Sequence, residues 1–145
     1  MMRALILALL CAAALAVAQG RAADAVRSQG CVVYYSAVTG NTIPPSVALR
    51  HGIPDRRDIL VVNISVFKGA DAAHGMAIPA HVTGKAVTLL GRTLGLQFHE
   101  VRDRDGMVYY LALLHTKPPD TLQLDVMVTP PGVQTIHVHF DQDVL

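Results

Sequence analysis

The sharpest chemical signal in this 145-residue chain is His137-Val-His139 near its C-terminal end. Residues two apart on an extended strand project from one face, so both imidazoles can reach a single metal ion. Imidazole pairs suit copper, zinc or nickel, and Met76, Met107 and Met127 offer soft thioether sulfurs to cuprous ion. His137 and His139 are therefore the candidate metal ligands, with copper or zinc as the candidate ion. Met127 falls in the outward set of its own strand, and it joins the histidines if the last two strands pair as a hairpin. Against this stands the lack of a third strong ligand, since neither Cys-x-x-Cys nor His-Glu-x-x-His occurs. An outward strand face must also be polar in any case, and histidine serves there as well as threonine.

The remaining chemistry-bearing residues are scattered. His51 ends a predicted helix, where the helix dipole favours its protonated form. His74 lies in a small-residue loop and His115 follows a strand. His81 and His99 sit on neighbouring predicted strands and are expected to face each other across a hairpin. No Gly-x-Ser-x-Gly elbow surrounds Ser28, Ser36, Ser46 or Ser65. Asp55, Asp58, Asp103, Asp105 and Asp120 read as turn residues rather than as a carboxylate pair in one cleft. No glycine-rich phosphate loop is present, because GKAVTLLG lacks the spacing. No catalytic set can be assembled, and an enzyme is not expected. Tyr34-Tyr35 and Tyr109-Tyr110 each place one ring inside and one outside a strand. The outward rings are either packing partners or a platform for a peptide or glycan, and an exposed Phe67 and Met107 would make that platform a patch.

Composition narrows the possible functions. The chain is 52% apolar and 16% charged, with a formal charge of +1, against about 45–50% and about 25% in ordinary domains. This excludes disorder, collagen and a polybasic nucleic-acid binder. Part of the apolar excess is local. Arg3 precedes an apolar run from Ala4 to Val17 that ends in Ala16-Val17-Ala18, the pattern of a secretory signal peptide cleaved near Ala18. The run is too short to cross a bilayer as a lone helix, and no later run is longer. The mature chain is expected to carry no integral membrane segment and to be periplasmic or secreted. Removing Arg3 with the leader leaves basic and acidic side chains in balance, so no general electrostatic attraction to nucleic acid or to anionic lipid is expected. Cys11 leaves with the leader. Cys31 then remains alone, reads as a small buried hydrophobe, and cannot form an intrachain disulfide.

The elements that must position these residues read as strands. Short apolar runs alternate with turn signals every 8–15 residues over 19–145, predicting one all-β domain. Seven strands are predicted. They begin with CVVYYSAV (31–38), DILVVNISVF (58–67) and a long strand from Ile78 to Leu90 with a bulge or bend at Gly84. LGLQFHEV (94–101), MVYYLALL (107–114), Thr121 to Val128 and a strand containing Ile136, Val138 and Phe140 complete them. In the second, Leu60, Val62, Ile64 and Val66 fall on one face, and Val61, Asn63, Ser65 and Phe67 on the other. One short crossover helix is predicted between the first two strands, with Thr42 as cap and Gly52 as a left-handed terminator before Ile53 and Pro54. Even spacing and hairpin turns suggest a seven-stranded antiparallel immunoglobulin-like β-sandwich, although the disulfide and tryptophan of antibody domains are missing.

Four features in this order carry a family resemblance: VVYYSAV, PPSVALRHGI, LVVNISVF, and GKAVTLLG followed by YYLALL. They resemble a secreted bacterial family, domain-of-unknown-function family 4426, over nearly the whole mature chain. The resemblance implies export and fold extent. It brings no catalytic residues, because its motifs are structural. The function expected from residues and resemblance together is a non-catalytic binding or accessory module of the cell envelope, with an envelope protein or glycan as partner. The alternative is a periplasmic copper or zinc module using His137 and His139.

Overall fold

Period-two alternation becomes strand along most of the chain. The computed structural model describes residues 24–145, and the expected leader, with Cys11, lies outside them. The strands are β1 (Asp24–Ser28), β2 (Cys31–Thr39), β3 (Ile59–Lys68), β4 (Met76–Ala77) and β5 (His81–Val87) in the first half. β6 (Thr93–Leu96), β7 (His99–Arg102), β8 (Val108–His115), β9 (Asp120–Thr129) and β10 (Ile136–Val144) follow. One α-helix, α1 (Pro45–His51), lies between β2 and β3.

All pairings are antiparallel. The larger sheet has six strands in the order β1-β2-β3-β8-β7, with β4 on β3, and the smaller has four in the order β10-β9-β5-β6. Their inner faces share one core. Val33, Leu60, Val62, Ile64, Val66 and Ala112 of the larger sheet meet Leu122, Leu124, Val126, Val128 and Val138 of the smaller. These side chains are 0–1% exposed, as the alternation of each strand requires.

The described residues hold ten strands, where the spacing predicts seven. The hydrophilic segment DAVRS forms β1 by pairing with β2. The Ile78–Leu90 strand is shorter, as β5, and is preceded by the two-residue β4. The third difference is topological. LGLQFHEV does not stay in one sheet: β6 pairs with β5 in the smaller sheet and β7 with β8 in the larger. Leu94, Leu96 and Phe98 still pack on the shared core. Alternation reveals which face is apolar but not which sheet each half joins.

Gly84 is not a bulge. Its register runs unbroken from His81↔Thr129 to Val87↔Gln123. A Cβ there would sit 2.9 Å from the Asp125 carbonyl oxygen and 3.2 Å from Leu96 Cδ1, so the position needs the smallest residue because the strands and the core close in on it.

The helix is terminated as expected. Gly52 adopts φ 63°, and the Ile53 amide donates to the Ala48 carbonyl at 2.8 Å. Thr42 does not cap it; its hydroxyl instead donates to the Thr39 carbonyl in a preceding 3-10 turn (Gly40–Thr42). Nor is α1 a crossover, because β2 and β3 are adjacent antiparallel partners. The connection turns back on the outer face of the larger sheet, where Ile43, Ala48 and Ile53 bury Val38, Val61 and Leu111 in a second apolar cluster.

Candidate functional site

The outer face of the larger sheet concentrates the polar side chains that packing does not account for. Register sets out its rows. Val38 and Val61 form one row beneath the helix cluster, and Ser36, Asn63 and Leu111 form the next. Tyr34, Ser65 and Tyr109 form a third, and Val32 and Phe67 a fourth. Polar Ser36, Asn63 and Ser65 thus sit between two apolar bands. Strand spacing of about 4.8 Å puts the Tyr34 and Tyr109 backbones roughly 10 Å apart, with small Ser65 between them.

Each flanking tyrosine is held by a segment laid over the sheet. Tyr34 packs edge-on against Phe67 with ring centroids 5.8 Å apart, and its hydroxyl accepts from the Ala72 amide at 3.2 Å. Ala72 belongs to the loop 69–75, which the Asp71–His74 contact ties to itself at 2.9 Å. On the other side, the Tyr109 hydroxyl lies 3.1 Å from His51 Nε2, the two rings crossing at 80°. Burial lowers the His51 pKa, Arg50 adds to the shift, and Asp103 opposes it. His51 therefore favours its neutral form.

Asn63 is the anomaly on this face. It is 7% exposed, and its Oδ1 has no hydrogen-bond partner among the described residues. A buried carbonyl of this kind costs about 1–3 kcal/mol when unpaired. Its neighbour Ser65 is 4% exposed. Phe67, expected as part of an exposed patch, is buried, and Met107 is half-buried. The loop and α1 convert what reads as a mixed solvent face into a largely covered one.

The histidine pair lies elsewhere, on the outer face of the smaller sheet. β9 and β10 pair as expected, which places His137 opposite Met127 and His139 opposite Asp125. His139 Nδ1 lies 2.6 Å from Asp125 Oδ1. The histidines share one exposed face, but among the described residues no group of three or more His, Cys, Asp or Glu side chains is placed to hold a metal ion. His81 and His99 do not meet. His81 pairs with Thr129 in the smaller sheet and His99 with Leu111 in the larger. Cys31 is buried at the start of β2.

Sequence reasoning missed Asn63 as a site residue. Its signal was present as a lone amide flanked by Ile and Val inside DILVVNISVF, on the strand that pairs on both sides.

A family model described as "Domain of unknown function (DUF4426)" matches residues 26–145. The chain belongs to the DUF4426 family. The resemblance of the four motifs is thereby established over nearly all of the described residues. Among solved structures, the chain is similar to a crystal structure of a DUF4426 family protein from Pseudomonas aeruginosa, at 23% identity and a TM-score of 0.70. That match covers 85% of this chain and 94% of the other, so the two DUF4426 proteins share a fold. No curated protein matches the chain.

Proposed function

We propose that this DUF4426 protein is a non-catalytic binding module of the cell envelope, periplasmic or secreted after cleavage near Ala18. Residues 19–145 form its single domain, an immunoglobulin-like sandwich. Its working surface is the outer face of the larger sheet around Asn63, and its partner is an envelope protein or glycan. The observation that carries this reading is the unpartnered Asn63 Oδ1, buried between Ser36 and Ser65 in a frame of two anchored tyrosines. A chain without a use for this amide would gain stability from an apolar residue there. A ligand N–H or O–H reaching Oδ1 would satisfy it, and Tyr34 and Tyr109 would supply flat contact area beside it.

The test compares wild-type protein with Asn63→Leu, both shown to be folded by circular dichroism. Each is immobilised and exposed to envelope extract, and each is titrated with soluble cell-wall glycan fragments while amide resonances are followed. Capture or titration by wild type that is lost in Asn63→Leu supports the reading. Equal behaviour of the two proteins places the working surface elsewhere.

A further inference from the structure

The β5–β6 hairpin carries leucine where turns ordinarily carry polar residues. Its turn is closed by the Gly91 amide donating to the Thr88 carbonyl at 2.9 Å, and the Thr88 amide donates to the Arg92 carbonyl at 2.9 Å. Leu89 and Leu90 occupy the two corner positions and Gly91 follows at φ 81°. Corner positions favour Asn, Asp, Ser, Gly or Pro for their local hydrogen bonds and backbone freedom. Here two consecutive leucines stand 72% and 98% exposed. Neither packs on either apolar cluster. A local rule broken without a gain in the fold marks a functional feature.

The surroundings of the turn add to the argument. The Leu89 amide donates to Asp120 Oδ1 at 3.1 Å, and Val144 pairs with Asp120, which brings Leu145, 84% exposed, to the same end. Three of the seven exposed large apolar side chains among the described residues thus gather there. Arg92 closes the turn, and Lys117 precedes Asp120 in the β8–β9 connection. Arg57 leads into β3, whose first residue, Ile59, pairs with His115 two residues before Lys117. Arg57, Arg92 and Lys117 are exposed and have no ion-pair partner among the described residues. Three aspartates also lie at this end, and one of them, Asp58, is held in an ion pair. Asp120 Oδ1 accepts from two backbone amides, Asp143 accepts from the Thr121 hydroxyl, and Asp58 is paired with Arg56.

We propose that the Thr88–Gly91 turn is a membrane-docking tip. Leu89 and Leu90 enter the boundary between headgroups and acyl chains of a bilayer, while Arg57, Arg92 and Lys117 meet the lipid phosphates. A convex apolar projection suits this occupant, because a bilayer closes around any shape whereas a protein partner must offer a matching pocket. Cations beside a small apolar insert are the pairing that interfacial anchors use. The proposed attachment is peripheral, and no helix among the described residues is long and apolar enough to cross a membrane. This inference is independent of the Asn63 surface, which lies on a different sheet.

The chain contains no tryptophan, so Leu90→Trp installs a single fluorescent reporter at the tip. The exported protein carrying it is mixed with vesicles of phosphatidylglycerol and phosphatidylethanolamine, and separately with phosphatidylcholine. The expected result is a blue shift that is quenched by lipids brominated on the acyl chains and is stronger with the anionic vesicles. In sedimentation with the same vesicles, Leu89→Ser/Leu90→Ser, which suits a turn and keeps the fold, lowers the partition coefficient by roughly tenfold or more. Emission unmoved by either vesicle overturns the proposal, as does undiminished sedimentation of the double variant. A shift produced by envelope proteins but not by vesicles assigns the tip to a protein partner and overturns it equally.

Discussion

Replacing Asn63 with leucine should make the protein more stable. The side chain is 7% exposed and its Oδ1 is unpartnered, so folding strips water from a carbonyl and returns no hydrogen bond. That desolvation costs about 1–3 kcal/mol. Leucine has the same branched four-atom skeleton and removes the cost, and burial of its apolar surface beside Leu111, its cross-strand partner, adds to the gain. A stabilisation of about 1–3 kcal/mol raises Tm by roughly 4 °C per kcal/mol for a domain of this size. The assay is reversible unfolding in urea followed by circular dichroism, with a thermal melt alongside. Both should show a higher midpoint at an unchanged m-value. A lower midpoint for Asn63→Leu would refute the reasoning, because it would mean that the amide is satisfied and structural. A stabilised variant that has lost ligand capture is the signature of a residue kept for use rather than for folding.

The other predictions concern packing, pH and metal. Gly40→Ala would drive a Cβ into the Pro54 carbonyl oxygen and to 3.0 Å from the Arg56 carbonyl oxygen, both backbone; a loss of about 1–3 kcal/mol in urea unfolding is expected. His51 holds a lowered pKa in the folded state, chiefly through burial. The unfolded chain therefore binds more protons as pH falls through about 6.5, and the stability present above that pH declines below it. Unfolding midpoints measured between pH 7.5 and 5 should fall more for wild type than for His51→Gln, and parallel curves would exclude His51 as the cause. Calorimetric titration with cupric ion or zinc should show binding no tighter than that of His137→Ala/His139→Ala, since the His, Cys, Asp and Glu side chains among the described residues form no group of three placed to hold the ion. Micromolar binding that the double variant loses would restore the metal reading.

The core was legible from alternation alone. Leu60, Val62, Ile64 and Val66, and likewise Leu122, Leu124, Val126 and Val128, are read as inward rows and are inward rows. Turn chemistry was equally readable where one residue decides the backbone. Gly52 and Gly106 both adopt positive φ, and the Gly106 amide donates to the Asp103 carbonyl in the β7–β8 turn. What local pattern cannot state is which distant segment covers a face. Val61 and Phe67 read as half of a mixed surface and are buried, because loop 69–75 and α1 fold over them. The same limit separated His81 from His99, since a strand's face is a local property and its sheet is not. β1 escaped notice because DAVRS has no apolar period; pairing with β2 supplies its order. Asn63 was visible as a residue and invisible as a site, for its meaning depends on which neighbours fail to reach its carbonyl.

At Gln97 and Phe98 the polypeptide passes from one layer to the other while Leu96 and Phe98 stay inside the apolar interior. The layers are stitched together there as well as pressed together. Neither can peel off and leave its companion standing, because the departing layer would drag out the residues that plug the one left behind. Loosening should therefore be all-or-none, and a protease would find either a closed seam or a fully opened chain.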